Sequence, residues 1–512
     1  MKNTCTYAKQ VERWSCLEVS VQGRTDGNPF TDYTIEGTFT SKNESKHVVG
    51  FYDGEGVYKV RFMPSFVEQY HFVVSGTCCD ATHEGTFEVT IAQEGNHGPV
   101  RVANTYHFAY EDGKPHYPIG TTCYVWELQN EELQKKTLET LKEGYFNKIR
   151  FCLFPKHYDY NLDEPYSYPY EGKPCDSSIL TSDNFNNYTG RAEGNDWDFS
   201  RFNVAHFQHI ERSILALQKI GIEADLIVMH PYDRWGFSMM TKEQDDLYWK
   251  YVVTRLSAYR NVWWSLANEY DLMGEKTVED WERYAQLICQ YDPYTHLRSI
   301  HNCKNFYDYS RPWITHCSIQ RQDTYKSAEY VDQWRLRFQK PIVLDEIGYE
   351  GNIQHGWGNL SGKELVRRFW EAACRGGYAG HGETFYRADR ILWWSHGGAL
   401  HGESPNRIKF LREVTADIPS LGLMPYQLRW DEVTAVPDDL TKRSESVQDY
   451  YLIYYGFNRP SFREFHFDDE SSFEVDVIDT WEMTMEPQGT FKGAFRIELP
   501  GKEYMAIRIR KA

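Results

Sequence analysis

Two segments of this 512-residue chain end in a carboxylate directly after an apolar run. Val262-Trp263-Trp264-Ser265-Leu266-Ala267 leads into Asn268-Glu269, and Pro341-Ile342-Val343-Leu344 leads into Asp345-Glu346. A carboxylate at the mouth of an apolar strand is costly to desolvate unless it has a partner or a purpose. Taken singly, each Glu reads more readily as a salt-bridged rim residue than as a catalytic one. As a pair they offer definite chemistry. One, held protonated, assists a leaving oxygen, while the other attacks as the carboxylate. Mutual repulsion and burial against aromatic walls help to raise the pKa of the acid. Two carboxyl groups about 5–5.5 Å apart perform double displacement at an anomeric carbon with retention of configuration.

Whether Glu269 and Glu346 can meet depends on the elements that carry them. From about residue 104 to 412, apolar runs of strand length alternate with amphipathic helices. In the clearest unit, Asp198-Phe199-Ser200 is a candidate cap, and Phe207, Ile210, Ile214, Leu217 and Ile220 follow at helical spacing before Gly221. A run at 224–229, apolar apart from Asp225, comes next, as expected of a parallel strand buried on both faces. The same rhythm predicts strands near 117–122, 148–154, 224–229, 262–267, 297–301, 313–319, 341–345 and 377–383. Eight strands with intervening helices in about 300 residues give a (β/α)8 barrel, the TIM-barrel form of α/β architecture. No Gly-rich phosphate loop follows the first strand. Barrel chemistry sits at the C-terminal strand ends, and strands four and seven face each other across eight strands.

The flanks read differently. Alternating runs at 33–40, 56–63, 70–75 and 85–91 predict an all-β N-terminal sandwich over 1–98. Similar runs at 451–457, 473–478, 495–499 and 504–509 predict an all-β C-terminal sandwich over 413–512, with the catalytic barrel at 99–412 between them. Both sandwiches suit a buttressing role or assembly, and a homo-oligomer is one reading of the latter.

Composition narrows the partners. Net charge is −18 with no concentration of Lys and Arg, which argues against nucleic acid and fits a neutral substrate better. Aromatic content is 16%, with 16 Trp and 37 Tyr, which suits a cleft that stacks sugar rings as well as a core. The first residues lack an apolar signal region, and no stretch approaches 18 apolar residues, so no membrane association is expected. Eleven Cys without paired spacing predict reduced thiols and a cytoplasmic location.

Here the residues carry a family resemblance. Trp264 to Glu269 resembles the strand-four Asn-Glu signature of clan-A glycoside hydrolases, and Pro341 to Glu346 resembles that clan's strand-seven signature. The resemblance implies Glu269 as general acid/base, Glu346 as nucleophile and Asn268 as a contact to the sugar 2-hydroxyl. Arg150 matches the strand-two Arg that orients the nucleophile. The sandwich–barrel–sandwich layout resembles the apiosidase-like branch across essentially the whole chain. Relatives there can carry Asp at the acid position, so apiose specificity does not transfer to a chain with Glu269. At strand six the candidates are His316 and Gln320-Arg321.

Further candidates for substrate contact are His230 after strand three, Trp126 after strand one, Glu383 in Gly380-His381-Gly382-Glu383, and Trp393-Trp394 in a run that ends Gly397-Gly398. The two Trp read as an exposed stacking wall. For His230 a core role is equally weighted, and for Trp126 the alternative is loop packing. A loop over about 155–197, rich in Tyr, is long enough to serve as a lid. The expected activity is exo-acting hydrolysis of small oligosaccharides or glycosides from the non-reducing end, without cofactor. The alternatives are a transglycosidase using the same intermediate and a non-catalytic carbohydrate-binding protein. A metal-dependent barrel is the remaining rival, given 18 His and the His381-x-Glu383 spacing, but 119–122 offers no His-x-His pair. The carboxylate reading predicts that turnover survives incubation with EDTA; loss of activity restored by a divalent metal would reverse it.

Overall fold

The computed structural model describes residues 4–176, 194–439, 441 and 447–512. Eight parallel strands form the centre: β1 (Gly120–Thr122), β2 (Lys148–Cys152), β3 (Glu223–Met229), β4 (Val262–Ala267), β5 (Arg298–Ser299), β6 (Cys317–Gln320), β7 (Ile342–Glu346) and β8 (Tyr378–His381). Their hydrogen-bonded order is β5-β4-β3-β2-β1-β8-β7-β6. A parallel bridge from His301 to Ser318 joins the two ends, which makes the sheet a barrel. All eight runs expected from the sequence contain a strand, although β5 is only two residues long. Each strand of β2, β3 and β4 is buried throughout, as a parallel strand covered on both sides must be.

One expected cap is displaced. The helix after the long loop spans Val204–Lys219, and the Asn203 side chain accepts from the His206 N–H at its start. Asp198 to Ser200 lie instead in an extended strand, Asp196–Phe202, paired with Tyr170–Lys173. The aromatic alternation of that stretch suits a strand, and Asn203 offers the same capping chemistry a few residues later.

The barrel interior is polar in its middle. Lys148 Nζ sits 2.6 Å from Asp225 and 2.7 Å from Asp345, and Ser318 Oγ donates to Asp345 at 2.5 Å. Burial pulls the Lys148 ammonium down, but Asp225 and Asp345 more than offset this and hold it above its ordinary range. Below this layer the N-terminal mouth is plugged by a small antiparallel sheet, Val100–Ala103, His107–Tyr110 and Pro115–His116, that periodicity alone did not reveal. Its Phe108 is fully buried, with its ring 5.2 Å from Trp263 and 5.4 Å from Tyr378.

The flanking sheets pack onto this body. At the N-terminal side a four-stranded and a five-stranded sheet share one core, with Val19, Val60 and Phe62 meeting Phe39, Phe72 and Phe87. Arg61 from this sandwich reaches Glu211 on the barrel helix at 3.0 Å and the Arg255 carbonyl at 2.8 Å. At the C-terminal side a six-stranded sheet is backed by only two strands, Phe462–His466 and Ala494–Glu498. Asp438 ties this region to the barrel by accepting from Arg335 at 3.0 Å and pairing with His107 at 2.9 Å. The eleven cysteines form no disulfide, and no described helix is long and apolar enough to cross a membrane.

Removing one member of a buried charge cluster strands the others without compensation. Lys148→Met is therefore expected to destabilise the barrel by roughly 3–5 kcal/mol, read as a lowered midpoint in scanning calorimetry. An unchanged midpoint would mean that the two aspartates do not depend on this cation.

Candidate active site

Side chains on a strand alternate between its two faces, so two neighbouring residues normally point apart. Both carboxylate motifs depart from this. On β4, Trp263 points down into the barrel and Glu269 ends the run of inward residues, while Asn268 beside it also reaches the interior. Glu269 holds a left-handed backbone with φ of +52°, rare for a residue with a side chain and a form of local strain that collects at functional sites. On β7 the pairing with β6 shifts register: Ser318 pairs Val343, but Gln320 pairs Glu346. This bulge inserts one residue, and so Asp345 points to the Lys148 layer while Glu346 points up into the cavity.

The two glutamates lie in one cavity of about 480 Å³ at the C-terminal end of the barrel. Arg150 Nη1 donates to Glu346 Oε1 at 3.2 Å, and the Tyr124 hydroxyl donates to the same oxygen. Tyr232 O–H donates to Glu269 Oε2, and Gln320 Nε2 donates to Glu269 Oε1 at 3.0 Å. Asn268 links the two groups: its Oδ1 accepts from Tyr124 at 3.3 Å, and its Nδ2 lies 3.4 Å from Glu269 Oε2. Burial, reinforced by the negative charge of Glu269, pushes the Glu346 carboxyl up to about 7, with Arg150 and the Tyr124 hydrogen bond pulling the other way.

Several expected contacts lie elsewhere. His316 sits at the bottom of the barrel, its ring 5.4 Å from Trp263 and 5.9 Å from Phe108, and burial lowers it to about 3. Gln320, on the same strand four residues on, is the β6 side chain that reaches the site. His230 bonds the Phe154 carbonyl at 3.2 Å and stacks near Tyr232, so it supports the wall from behind. Trp126 packs edge-on to Phe151 in a short 3-10 turn away from the cavity. Glu383 accepts the backbone N–H groups of His401 at 2.6 Å and Gly402 at 2.8 Å, which makes it a loop clamp; burial raises it to about 7. The Trp pair is not an exposed loop. Trp393 and Trp394 open a short helix, Trp393–His396, and both are buried. Trp394 lines the cavity beside Trp357, whereas Trp393 faces outward and donates to Thr121 at 2.8 Å. Part of the expected lid, 177–193, lies outside the described residues.

The sequence reading passed over Tyr124, Tyr232, Lys156 and Trp357, all of which line the cavity. Tyr124 and Tyr232 follow β1 and β3 closely, and that position was the available signal.

A family model described as "Apiosidase-like, catalytic domain" matches residues 102–433. The chain belongs to the apiosidase-like family. This is a glycoside hydrolase family, and its barrel fold is the one described above. Two further models, described only as domains of unknown function, match residues 10–77 and 430–510. A candidate glycoside hydrolase from Bacteroides vulgatus ATCC 8482 is similar over 99% of this chain and 100% of its own, with 36% identity and a TM-score of 0.89. The endo-beta-1,4-mannanase of Thermotoga petrophila shares 14% identity over 76% of this chain and 92% of its own, with a TM-score of 0.39. A b-glucuronidase from Ruminococcus gnavus shares 12% identity over 79% of this chain and 66% of its own, at the same TM-score. No curated protein matches the chain.

Burial and the charge of Glu269 hold the Glu346 proton up to about 7, so a reaction that uses Glu346 as the carboxylate gains its ionised form only above that value. The kcat/KM of this apiosidase-like chain is therefore expected to rise as pH passes up through about 7. A rate that stays flat from pH 6 to 9 would contradict the coupling of Glu346 to Glu269.

Proposed function

We propose that the chain is a retaining, exo-acting glycoside hydrolase, with Glu346 as nucleophile and Glu269 as acid/base. The observation that carries this reading is the unequal setting of two glutamates in one cavity. Arg150 lies on Glu346 and not on Glu269. A guanidinium stabilises negative charge beside it, which favours at Glu346 the ionised form that a nucleophile needs. Glu346 attacks the anomeric carbon as Glu269 passes its proton to the departing glycosidic oxygen. Glu269 then takes a proton from water, and the water oxygen displaces Glu346 from the sugar. Tyr124 fixes both the nucleophile and Asn268, so the nucleophile and the side chain expected to meet the 2-hydroxyl share one anchor.

The exo reading is supported by the shape of the site. Phe108 closes the barrel below, and Trp394 and Trp357 with Tyr158 stand as walls around the glutamates. Such a cavity suits a terminal sugar whose faces meet aromatic rings.

Glu346→Ala is expected to abolish turnover while leaving the fold intact. Glu269→Ala is expected to lower kcat about 10²–10⁴-fold on natural glycosides, with much less loss on aryl glycosides that carry very good leaving groups. A panel of aryl β-galactoside, β-glucoside, β-xyloside, α-L-arabinoside and β-apioside, read by NMR for the first anomer released, tests both roles. Near-wild-type rates in either variant, or an inverted product, would overturn the assignment.

A further inference from the structure

Among the described residues, Lys156 is the one cation buried in this cavity without an ion-pair partner. It follows β2 in Phe154-Pro155-Lys156, and its ammonium is boxed by rings: Tyr124 at 3.4 Å, Tyr232 at 4.3 Å, Trp394 at 4.6 Å and Tyr158 at 5.4 Å from ring centroid to Nζ. Among the described residues it takes part in no ion pair. The other cations around the cavity are answered or exposed. Arg321 pairs with Asp323 at 3.2 Å, and Arg368 pairs with Glu364 at 2.7 Å and donates to the Thr324 carbonyl at 2.7 Å. Lys304 lies exposed at the rim.

We propose that Lys156 binds an anionic substituent, a carboxylate or a sulfate ester, on the sugar seated against Glu346; the inference rests on the glycosidase reading above. The placement of charges in the site leads there. Arg150 lies on Glu346 and Lys148 lies between Asp225 and Asp345, while the Lys156 ammonium is enclosed by rings with no carboxylate at ion-pair distance among the described residues. A cation taken out of water without a counterion is costly, and ring faces recover only part of that cost. Burial, opposed by Cys152, Glu269 and Glu346, lowers the ammonium to about 8, so it stays charged at neutral pH. An anion carried in by the substrate completes the site. The chain's overall charge of −18 does not oppose this, because surface charges are screened beyond roughly 8 Å at physiological salt while a buried contact is not.

The test compares p-nitrophenyl glucuronides, galacturonides and 6-sulfated galactosides with the neutral glucosides and galactosides, in both anomers, on wild type and Lys156→Met. Wild type is expected to prefer a charged glycoside over its neutral counterpart, and Lys156→Met to cut that kcat/KM ratio about 10–100-fold. The carboxylate and sulfate arms separate the two sources of charge. Glu346-dependent turnover that favours neutral glycosides would overturn the proposal and leave the glycosidase reading standing. So would a Lys156→Met variant that lowers both classes equally or merely shifts the pH profile, since that is what an electrostatic positioning role gives. If wild type cleaves nothing, calorimetry with free glucuronate, galacturonate and galactose 6-sulfate against glucose and galactose decides. Anion-selective binding lost in Lys156→Met would uphold the ligand class while the glycosidase reading fails; no anion selectivity would end both.

Discussion

Inside the barrel an unpaired charge costs more than packing recovers, so Asp225, Asp345 and Glu346 can be present only because Lys148 and Arg150 stand among them. Both cations come from β2, two residues apart and therefore on one face. Lys148 holds the lower pair of aspartates and Arg150 holds the upper glutamate. Asp345 is driven far below the ordinary carboxylate range despite its burial, by Lys148 and then Arg150. The ladder thus fixes β3, β6 and β7 against β2, and the charged floor of the cavity is part of the same cluster that organises the barrel. Stability and chemistry share these residues.

Much of this was legible because barrels leave strong marks on sequence. The runs at 224–229 and 262–267, apolar apart from Asp225 and Ser265, read as strands buried on both faces, and the carboxylate that follows the second stands out. Arg150 and Asn268 were accessible through resemblance, and the structure sets both against the glutamates. Side-chain direction was not legible. Period-two reasoning cannot foresee a bulge on β7 that turns Asp345 and Glu346 to the same interior, nor a left-handed Glu269. His316 illustrates the cost: it lies at the entry to β6, where inward residues meet the Phe108 plug, and only Gln320 is high enough to reach Glu269. Trp393 and Trp394 misled for a related reason. The glycines after them suggested an open loop, but a single helical turn aims the two rings in different directions.

The walls of the cavity come from loops that composition describes poorly. Tyr124, Tyr158, Tyr232 and Lys156 lie in short stretches beyond the strands, where tertiary contacts decide position. Tyr124 and Tyr232 contribute twice. Their rings form part of the enclosure around Lys156, and each hydroxyl holds a carboxylate. High aromatic content was therefore a true signal about this site, although most of the 16 Trp belong to the core.

The plug at Phe108 has a consequence for the order of events. With the lower mouth sealed by a sheet of the chain itself, traffic cannot pass through the barrel, and the cavity is entered from the C-terminal ends of the strands. On the proposed retaining route, whatever the sugar was attached to would back out on the side it came in before water could enter behind it. A bulky departing group that lingers there would keep the water waiting, and the sugar held on the glutamate could rejoin it. On that route, forward commitment would depend on how quickly the entrance clears as well as on the glutamates.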